Sequence, residues 1–244
     1  MGQARSRSKE ELYRLEAVLV SCTNLEEVRL HPAAVYQELL DYLLDEERMK
    51  EAAQVVEVAL SQYPYASDFY YVKVQLLIQQ DNLRLARRTV DRALAIHPGD
   101  ITLQLLRSEI FIRLGQTSRG LAMLAPLKFQ VDQPTLSQLL LVESLAYERL
   151  HDLDHMFYAL KAALEADPEN EQALERIHFC LRLDKRHEES LQIFESILEQ
   201  NPYAAKAWFY LGQSCAYLGN NERAVQAFEY AFLSDADYED AYEN

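Results

Sequence analysis

Glycine, proline and cysteine are scarce in this 244-residue chain, which has 6 Gly, 7 Pro and 3 Cys. So few turn residues disfavour an all-β protein, whose many short strands need many tight turns, and favour long helices. The cysteines are odd in number, widely spaced and form no CxxC pair, which excludes a disulfide framework and fits a reducing, cytoplasmic compartment. No apolar run approaches the ~20 residues that a membrane-spanning helix needs, and no signal-peptide core stands near the start.

Positive charge is also in short supply. The chain has 39 Asp and Glu against 24 Lys and Arg, a net charge of −15. Because an acidic chain repels phosphate backbones and anionic lipid, we expect no nucleic-acid partner and no membrane. The segment 67–136 is relatively rich in arginine, which forms either a solvated outer face or a patch for an acidic partner.

Catalytic motifs are absent as well: no GxGxxG, Walker loop, HExxH or GxSxG occurs. The one site-like pattern is HDLDH, in which His151 and His155 could share a metal on a helix. The alternative, which we favour, places His151 in a turn and makes the acids caps of the next helix. His178 and Cys180 are likewise predicted as packing residues rather than ligands. We therefore expect no enzymatic activity, no cofactor and no metal.

A period of 34 residues runs through most of the chain. Prolines fall at 64, 98, 168 and 202, spaced by 34 or by twice 34 plus two. Such a period indicates stacked helical hairpins. The predicted units are 33–66, 67–100, 101–136, 137–170, 171–204 and 205–238.

Each unit is predicted to hold two helices, and the second carries small and apolar residues at spacings of four and three. These spacings place the three residues on one helix face, where small side chains let the paired helices approach closely. The sets are Ala52, Val56, Ala59; Ala86, Val90, Ala93; Gly120, Leu124, Leu127; Met156, Leu160, Ala163; Ser190, Phe194, Ile197; and Ala224, Phe228, Ala231.

The last unit contains the stretch AWFYLGQSCAYLG, residues 207–219. A glycine inside a helix costs roughly 0.5–1 kcal/mol relative to alanine, so its small size must be useful. We predict that Gly212 lies where the first helix crosses its partner tightly. Gly219 is predicted to end that helix in the left-handed conformation, and Trp208 and Leu211 to pack against the neighbouring helix.

This last unit resembles the tetratricopeptide repeat (TPR) family in Trp208-x-x-Leu211-Gly212, Gly219, Ala224, Phe228 and Ala231, with Pro202 closing the previous unit. The first two units match well, whereas the third to fifth depart from the pattern, with Glu143 where the family usually has Leu. The resemblance is to long bacterial arrays of this repeat. It implies an all-α fold, a right-handed superhelix of stacked antiparallel helix pairs (a TPR-like α-solenoid).

The resemblance implies a non-enzymatic scaffold that binds a protein or peptide in a concave groove lined by the first helix of each repeat. The alternative is a regulatory or adaptor domain of a larger enzyme or of a secretion or assembly machine. Tyr71, Phe179 and Phe209 are the expected anchors, and inter-repeat contact is the alternative for each. The groove candidates are Gln37, Asp41, Asp68, Tyr71, Gln75, Leu105, Glu109, Leu141, Leu145, Gln172, Glu175, Phe179, Lys206, Phe209 and Gln213.

Some members of the family clamp a C-terminal carboxylate with Lys and Asn residues. That pattern is absent from this sequence. Arg176, Arg182 and Lys206 could form a weaker basic patch, but they do not make a clamp.

The two ends lie outside the six units. Segment 1–32 is predicted to hold a helix that covers the first repeat, with Ser8 and Glu11 as a capping box and Leu12, Leu15 and Leu19 as its apolar stripe. MGQARS fits a myristoylation pattern at Gly2, with an unstructured start or a cloning remnant as the alternative. Residues 239–244 are predicted to begin a truncated seventh repeat. We therefore expect either a fragment of a longer array or a C-terminal face covered by another chain, which leaves a homo-oligomer open.

Overall fold

A computed structural model describes residues 9–23 and 30–235 of the chain. Within these residues the protein is helical, with thirteen α-helices, one short 3₁₀ helix and no strand. The predicted all-α fold of packed helix pairs is confirmed. None of the described helices is both long and apolar enough to cross a membrane. The predictions for Gly2, for the Ser8 cap and for a seventh repeat at 239–244 lie outside the described residues.

The chain divides into two compact units, Met1–Leu114 and Gly115–Asn244. The helices of the first unit are α1 (Lys9–Thr23), α2 (Ala33–Asp45), α3 (Met49–Gln62), α4 (Ser67–Gln79), α5 (Leu83–Ile96) and α6 (Ile101–Arg113). Those of the second are α7 (Thr117–Leu124), α8 (Gln133–Arg149), α9 (Leu153–Ala166), α10 (Glu171–Leu183), α11 (His187–Gln200), α12 (Ala205–Tyr217) and α13 (Asn221–Ser234), with the 3₁₀ helix Leu127–Phe129 between α7 and α8.

In the first unit each helix from α2 to α5 packs against the next one in the chain. The helices α4 and α6 also contact each other, so the first helices of two successive pairs lie side by side. Helix α1 packs on α2 and α3, and Leu15 and Leu19 from its predicted stripe are buried there.

The second unit repeats this arrangement from α7 to α13, and α10 also contacts α12. Its core runs through α8 to α13 and includes Leu160, Ile177 and Phe194. Helix α7 has only eight residues, because Pro126 follows shortly after Leu124 and lacks the backbone N–H that a continuing helix needs.

The predicted small-and-apolar face of each second helix is turned inward. All members of the six sets are buried except Phe228, which is half-buried. In the third unit the prediction is wrong in part: Leu127 is buried but lies in the 3₁₀ helix beyond the end of α7, because the helix stops before Pro126. In the other five units the spacings of four and three identified the packing face of the second helix.

Six residues with positive φ follow α2, α4, α6, α8, α10 and α12: Glu47, Asp81, Gly115, His151, Lys185 and Gly219. They recur every 34 residues, except for one step of 36 between Gly115 and His151. Gly219 has a φ of 79°, as predicted for a helix end in the left-handed conformation. Four of the six are not glycine, so those turns hold a backbone conformation that disfavours their own side chains.

Gly212 lies against the aromatic ring of Phe228 on α13. A Cβ atom built at Gly212 would stand 2.7 Å from Cε1 of that ring, which is closer than carbon atoms approach. The predicted tight crossing of α12 and its partner helix is confirmed.

The three cysteines are free thiols and all are buried. Burial raises the pKa of Cys22 and of Cys215, and it raises the pKa of Cys180 to about 11. Cys22 belongs to the core of the first unit, and the other two to the core of the second.

Candidate functional site

The groove candidates of the first unit lie on its first helices, α2, α4 and α6. Gln37 Nε2 on α2 donates a hydrogen bond to Asp68 Oδ2 on α4 at 2.9 Å. Gln75 Nε2 donates to the hydroxyl of Tyr71 at 2.5 Å, and burial together with the nearby charge of Glu109 on α6 raises the pKa of Tyr71. These five side chains therefore share one surface across three helices. The remaining candidates of this unit are exposed Asp41 and half-buried Leu105.

The exposed candidates of the second unit lie mainly on α10. Gln172 and Glu175 are exposed, and Phe179 keeps 44% of its surface in solvent. On α12, Lys206 Nζ lies 2.8 Å from Glu171 Oε2 of α10, which places the two first helices on a common surface. The half-buried candidates of this unit are Leu145, Lys206 and Gln213.

Leu141 and Phe209 do not lie on an open surface. Leu141 is 8% exposed and Phe209 is 6% exposed. The ring of Phe209 packs against Phe228 with their centroids 5.7 Å apart, so its face is already covered by α13. For these two residues the structure corrects the sequence prediction, because a partner cannot reach a side chain that its own neighbours enclose.

A cavity of about 350 Å³ lies in the second unit, lined by residues of α10 to α13. Its polar lining includes His178, Arg182, His187 and Gln213, and its apolar lining includes Leu181 and Phe228. Gln213 is thus a sequence-predicted groove residue that also lines a cavity. Phe179 lies three residues before Arg182, so both side chains lie on the same side of α10.

His178 is the most unusual polar residue of the cavity. It is 7% exposed, and its ring stacks on Tyr210 with centroids 4.6 Å apart. Neither ring nitrogen makes a well-formed hydrogen bond, although the Gln213 side chain approaches the ring. Burial, helped by the nearby charge of Arg182, lowers the pKa of His178 to about 4. The imidazole is therefore neutral at neutral pH.

His187 and Tyr217 stand at another wall of the cavity. Their rings stack with centroids 4.2 Å apart, and Tyr217 keeps 70% of its surface exposed. Ser190 and Ser214 lie deeper, with their hydroxyl oxygens 2.5 Å apart. This wall of the cavity therefore offers aromatic rings at His187 and Tyr217 and hydroxyl groups at Ser190 and Ser214.

Arg176, Arg182 and Lys206, considered above as a basic patch, differ in their ion pairs. Arg176 Nη2 lies 2.8 Å from Glu148 Oε2, and Lys206 is paired with Glu171. Arg182 makes no salt bridge within the described part of the chain. Among the described residues, Arg182 is therefore the one of the three that no carboxylate neutralises.

The HDLDH segment forms the start of α9. Asp152 caps this helix by accepting a hydrogen bond from the backbone N–H of His155 at 3.1 Å, and its other oxygen lies 2.8 Å from His155 Nδ1. His151 occupies the positive-φ turn position, with φ of 56°. Among the described residues no group of three or more His, Cys, Asp or Glu side chains is placed to hold a metal. The absence of a bound metal and of enzymatic activity stays a prediction.

Two stretches of the chain match sequence models of one repeat family. Both models describe the tetratricopeptide repeat, and they match residues 43–110 and 185–241, which together make just over half of the chain. The chain belongs to the tetratricopeptide repeat family. The first match runs from within the first unit into the third, and the second runs from the fifth unit through the sixth, so the degenerate fourth unit, 137–170, lies outside both.

Solved TPR structures resemble this TPR chain at low sequence identity. Human IFIT1, solved as a dimer with m7Gppp-AAAA, is 18% identical, covers 91% of this chain and 56% of its own, and has a TM-score of 0.56. YrrB, described as a TPR protein with an unusual peptide-binding site, is 18% identical, covers 94% of this chain and 97% of its own, and has a TM-score of 0.39.

A TPR protein from Parabacteroides merdae is 17% identical, covers 86% of this chain and 96% of its own, and has a TM-score of 0.45. This TPR chain therefore spans little more than half of the IFIT1 chain, and the likeness shows the fold alone. No curated protein matches it.

Sequence reasoning missed the lining of the cavity and a recurring contact of the TPR repeats. Trp208 Nε1 donates to the carbonyl oxygen of Pro202 at 2.7 Å, and Tyr70 and Gln104 each donate to the carbonyl of a proline six residues earlier. The repeat frame could have revealed this contact, because the three donors occupy the same position of their units. The cavity left no such signal, since it depends on how side chains of four helices fill space.

Proposed function

We propose that this TPR chain is a non-enzymatic, cytoplasmic scaffold that binds a protein or peptide on the surface of the first helices α10 and α12 of its second unit. The observation that carries the proposal is the surface of α10 and α12 beside the cavity. There Phe179 and Tyr217 are exposed, at 44% and 70%. Aromatic side chains beside a concave site are the residues that most often carry binding energy.

The polar side chains around these aromatic residues favour a peptide over a large apolar partner. Gln172, Glu175 and Gln213 can donate or accept hydrogen bonds to the main chain of an extended segment. The absence of a recognised catalytic motif in the sequence supports a binding role rather than a chemical one.

The experiment that tests this proposal is selection of binders from a random peptide library on the intact protein. The selected peptides are then measured against Phe179→Ala and against Tyr203→Ala, a control at an exposed tyrosine in the turn between α11 and α12. We expect Phe179→Ala to weaken binding by about tenfold, which corresponds to ~1.4 kcal/mol, and the control to leave it unchanged.

The variant Tyr71→Ala tests whether the surface of the first unit contributes to peptide binding. A loss in this variant alone moves the peptide site to α2, α4 and α6. If no peptide is enriched, or if both Phe179→Ala and Tyr71→Ala bind like wild type, the scaffold does not use its first helices.

A further inference from the structure

We propose that the cavity between α10, α11, α12 and α13 binds a small oxyanion, a carboxylate or a phosphate, that is attached to an apolar body. The cavity has Arg182, His178 and His187 in its lining, and within the described residues no aspartate or glutamate lines it. This is notable in a chain with 39 acidic residues and a net charge of −15. The proposal does not depend on peptide binding, since a free anion can test it.

Arg182 provides the charge of the site. The arginines around it are neutralised: Arg176 by Glu148, Arg186 by Glu189 and Arg223 by Glu195. Arg182 makes no such pair among the described residues, although it is just as close in sequence to acidic side chains. A guanidinium carries five N–H donors and can bind a carboxylate or phosphate through two parallel hydrogen bonds.

His178 adds a neutral donor. Its ring is more than nine-tenths buried and lacks a well-formed partner for either nitrogen, which is unfavourable for a buried polar group. A neutral imidazole carries one N–H, and an oxyanion that entered beside the ring would accept from it. The amide of Gln213, which approaches the ring, has two further donors to offer.

The remaining wall fits the body that carries the anion. Leu181, Ala216, Phe228 and the ring of Tyr217 supply apolar surface. A volume of about 350 Å³ lies at the lower end of the range for small-molecule sites. The cavity therefore suits an aromatic or branched acid of modest size better than a bare inorganic ion.

Isothermal titration of the intact chain with three matched compounds tests the proposal. The compounds are N-acetylphenylalanine, phenyl phosphate and, as the neutral control, N-acetylphenylalaninamide. We expect at least one of the two anions to bind at least tenfold more tightly than the amide. The tighter anion identifies whether the natural group is a carboxylate or a phosphate.

Two variants locate the binding. Arg182→Gln, at an exposed position, should weaken the anion at least tenfold, whereas Arg88→Gln, at an exposed arginine of the first unit, should leave it unchanged. His178→Phe keeps a ring to stack on Tyr210 but removes the donor, and should also weaken the anion. Equal affinity for acid and amide, no binding of either anion, or full affinity in Arg182→Gln would each overturn the proposal.

Discussion

His178 combines burial, a nearby cation and unpaired nitrogens, and its protonation is therefore coupled to folding. Its pKa is about 4 in the folded protein, against an ordinary value of 6.5. At a pH between these two pKa values, His178 binds a proton in the unfolded chain but not in the folded chain. This part of the stability is fully present above pH 6.5 and is lost as the pH falls towards 4.

We expect the free energy of unfolding to fall by roughly 3 kcal/mol from this cause between pH 6.5 and 4. The measurement is urea denaturation of wild type and His178→Phe across this range, because the difference between the two isolates the histidine from the many carboxylates. Phe129→Leu, at an exposed aromatic residue that carries no titratable group, is the control and should keep the wild-type slope. A parallel pH dependence in wild type and His178→Phe would show that folding does not lower the pKa of His178.

At Gly212 the absence of a methyl group lets α12 approach the Phe228 ring of α13 closely. Alanine there is favoured by helix propensity, by about 0.5–1 kcal/mol. Its Cβ would nevertheless stand 2.7 Å from the Phe228 ring. We expect Gly212→Ala to lower the free energy of unfolding by about 1–3 kcal/mol, since overpacking outweighs the propensity gain.

Chemical denaturation of a double-mutant cycle checks this cause. Phe228→Leu shortens the opposing side chain, so Gly212→Ala should cost much less in that background. Unchanged stability of the single variant Gly212→Ala would mean that the Phe228 ring moves aside freely.

At the scale of the helix pair, the turn residues with positive φ offer a paired comparison. Lys185 holds a φ of 56° after α10, and Gly219 holds 79° after α12. We expect Lys185→Gly to raise the free energy of unfolding by about 0.5–1 kcal/mol, because the relieved backbone strain exceeds the entropy that glycine adds to the unfolded chain.

Gly219→Ala is the reverse test. No atom lies within 4 Å of a Cβ built at this position, so any loss must come from the backbone alone. We expect a loss of about 1 kcal/mol in thermal or urea unfolding. Lys185→Ala should change nothing, and a destabilised Lys185→Gly would contradict the assignment of strain.

The element scale also shows how far sequence reasoning reaches. The 34-residue period predicted the helix pairs and the buried faces of the second helices, because both depend on spacing alone. The sequence could not predict two contacts, because they depend on rotamers and on neighbours distant in the chain. These are the ion pair of Lys206 with Glu171 and the enclosure of Phe209 by α13. The sequence predicted His178 as a packing residue, in agreement with its 7% exposure, but the cavity beside it depends on side-chain packing and could not be predicted.

At the scale of the whole molecule, charge limits the partners. The TPR structure of human IFIT1 was solved with m7Gppp-AAAA. We expect a chain with a net charge of −15 to repel a phosphate backbone on balance. We expect no binding of m7Gppp-AAAA at physiological salt in a fluorescence polarisation assay. Saturable micromolar binding would refute this expectation and would direct attention to the arginines of segment 67–136.

Each compact unit has a buried cysteine whose rate of chemical labelling can report how often that unit opens. A thiol reagent attacks the thiolate, so Cys22 and Cys215, which are buried and raised in pKa, can react only when their surroundings open. In variants that keep one cysteine each, the labelling rate at Cys22 reports opening of the first unit and that at Cys215 opening of the second. We expect Gly212→Ala to accelerate labelling at Cys215 and to leave the rate at Cys22 unchanged. Labelling of both at the rate of a free thiol would show that neither unit protects its cysteine.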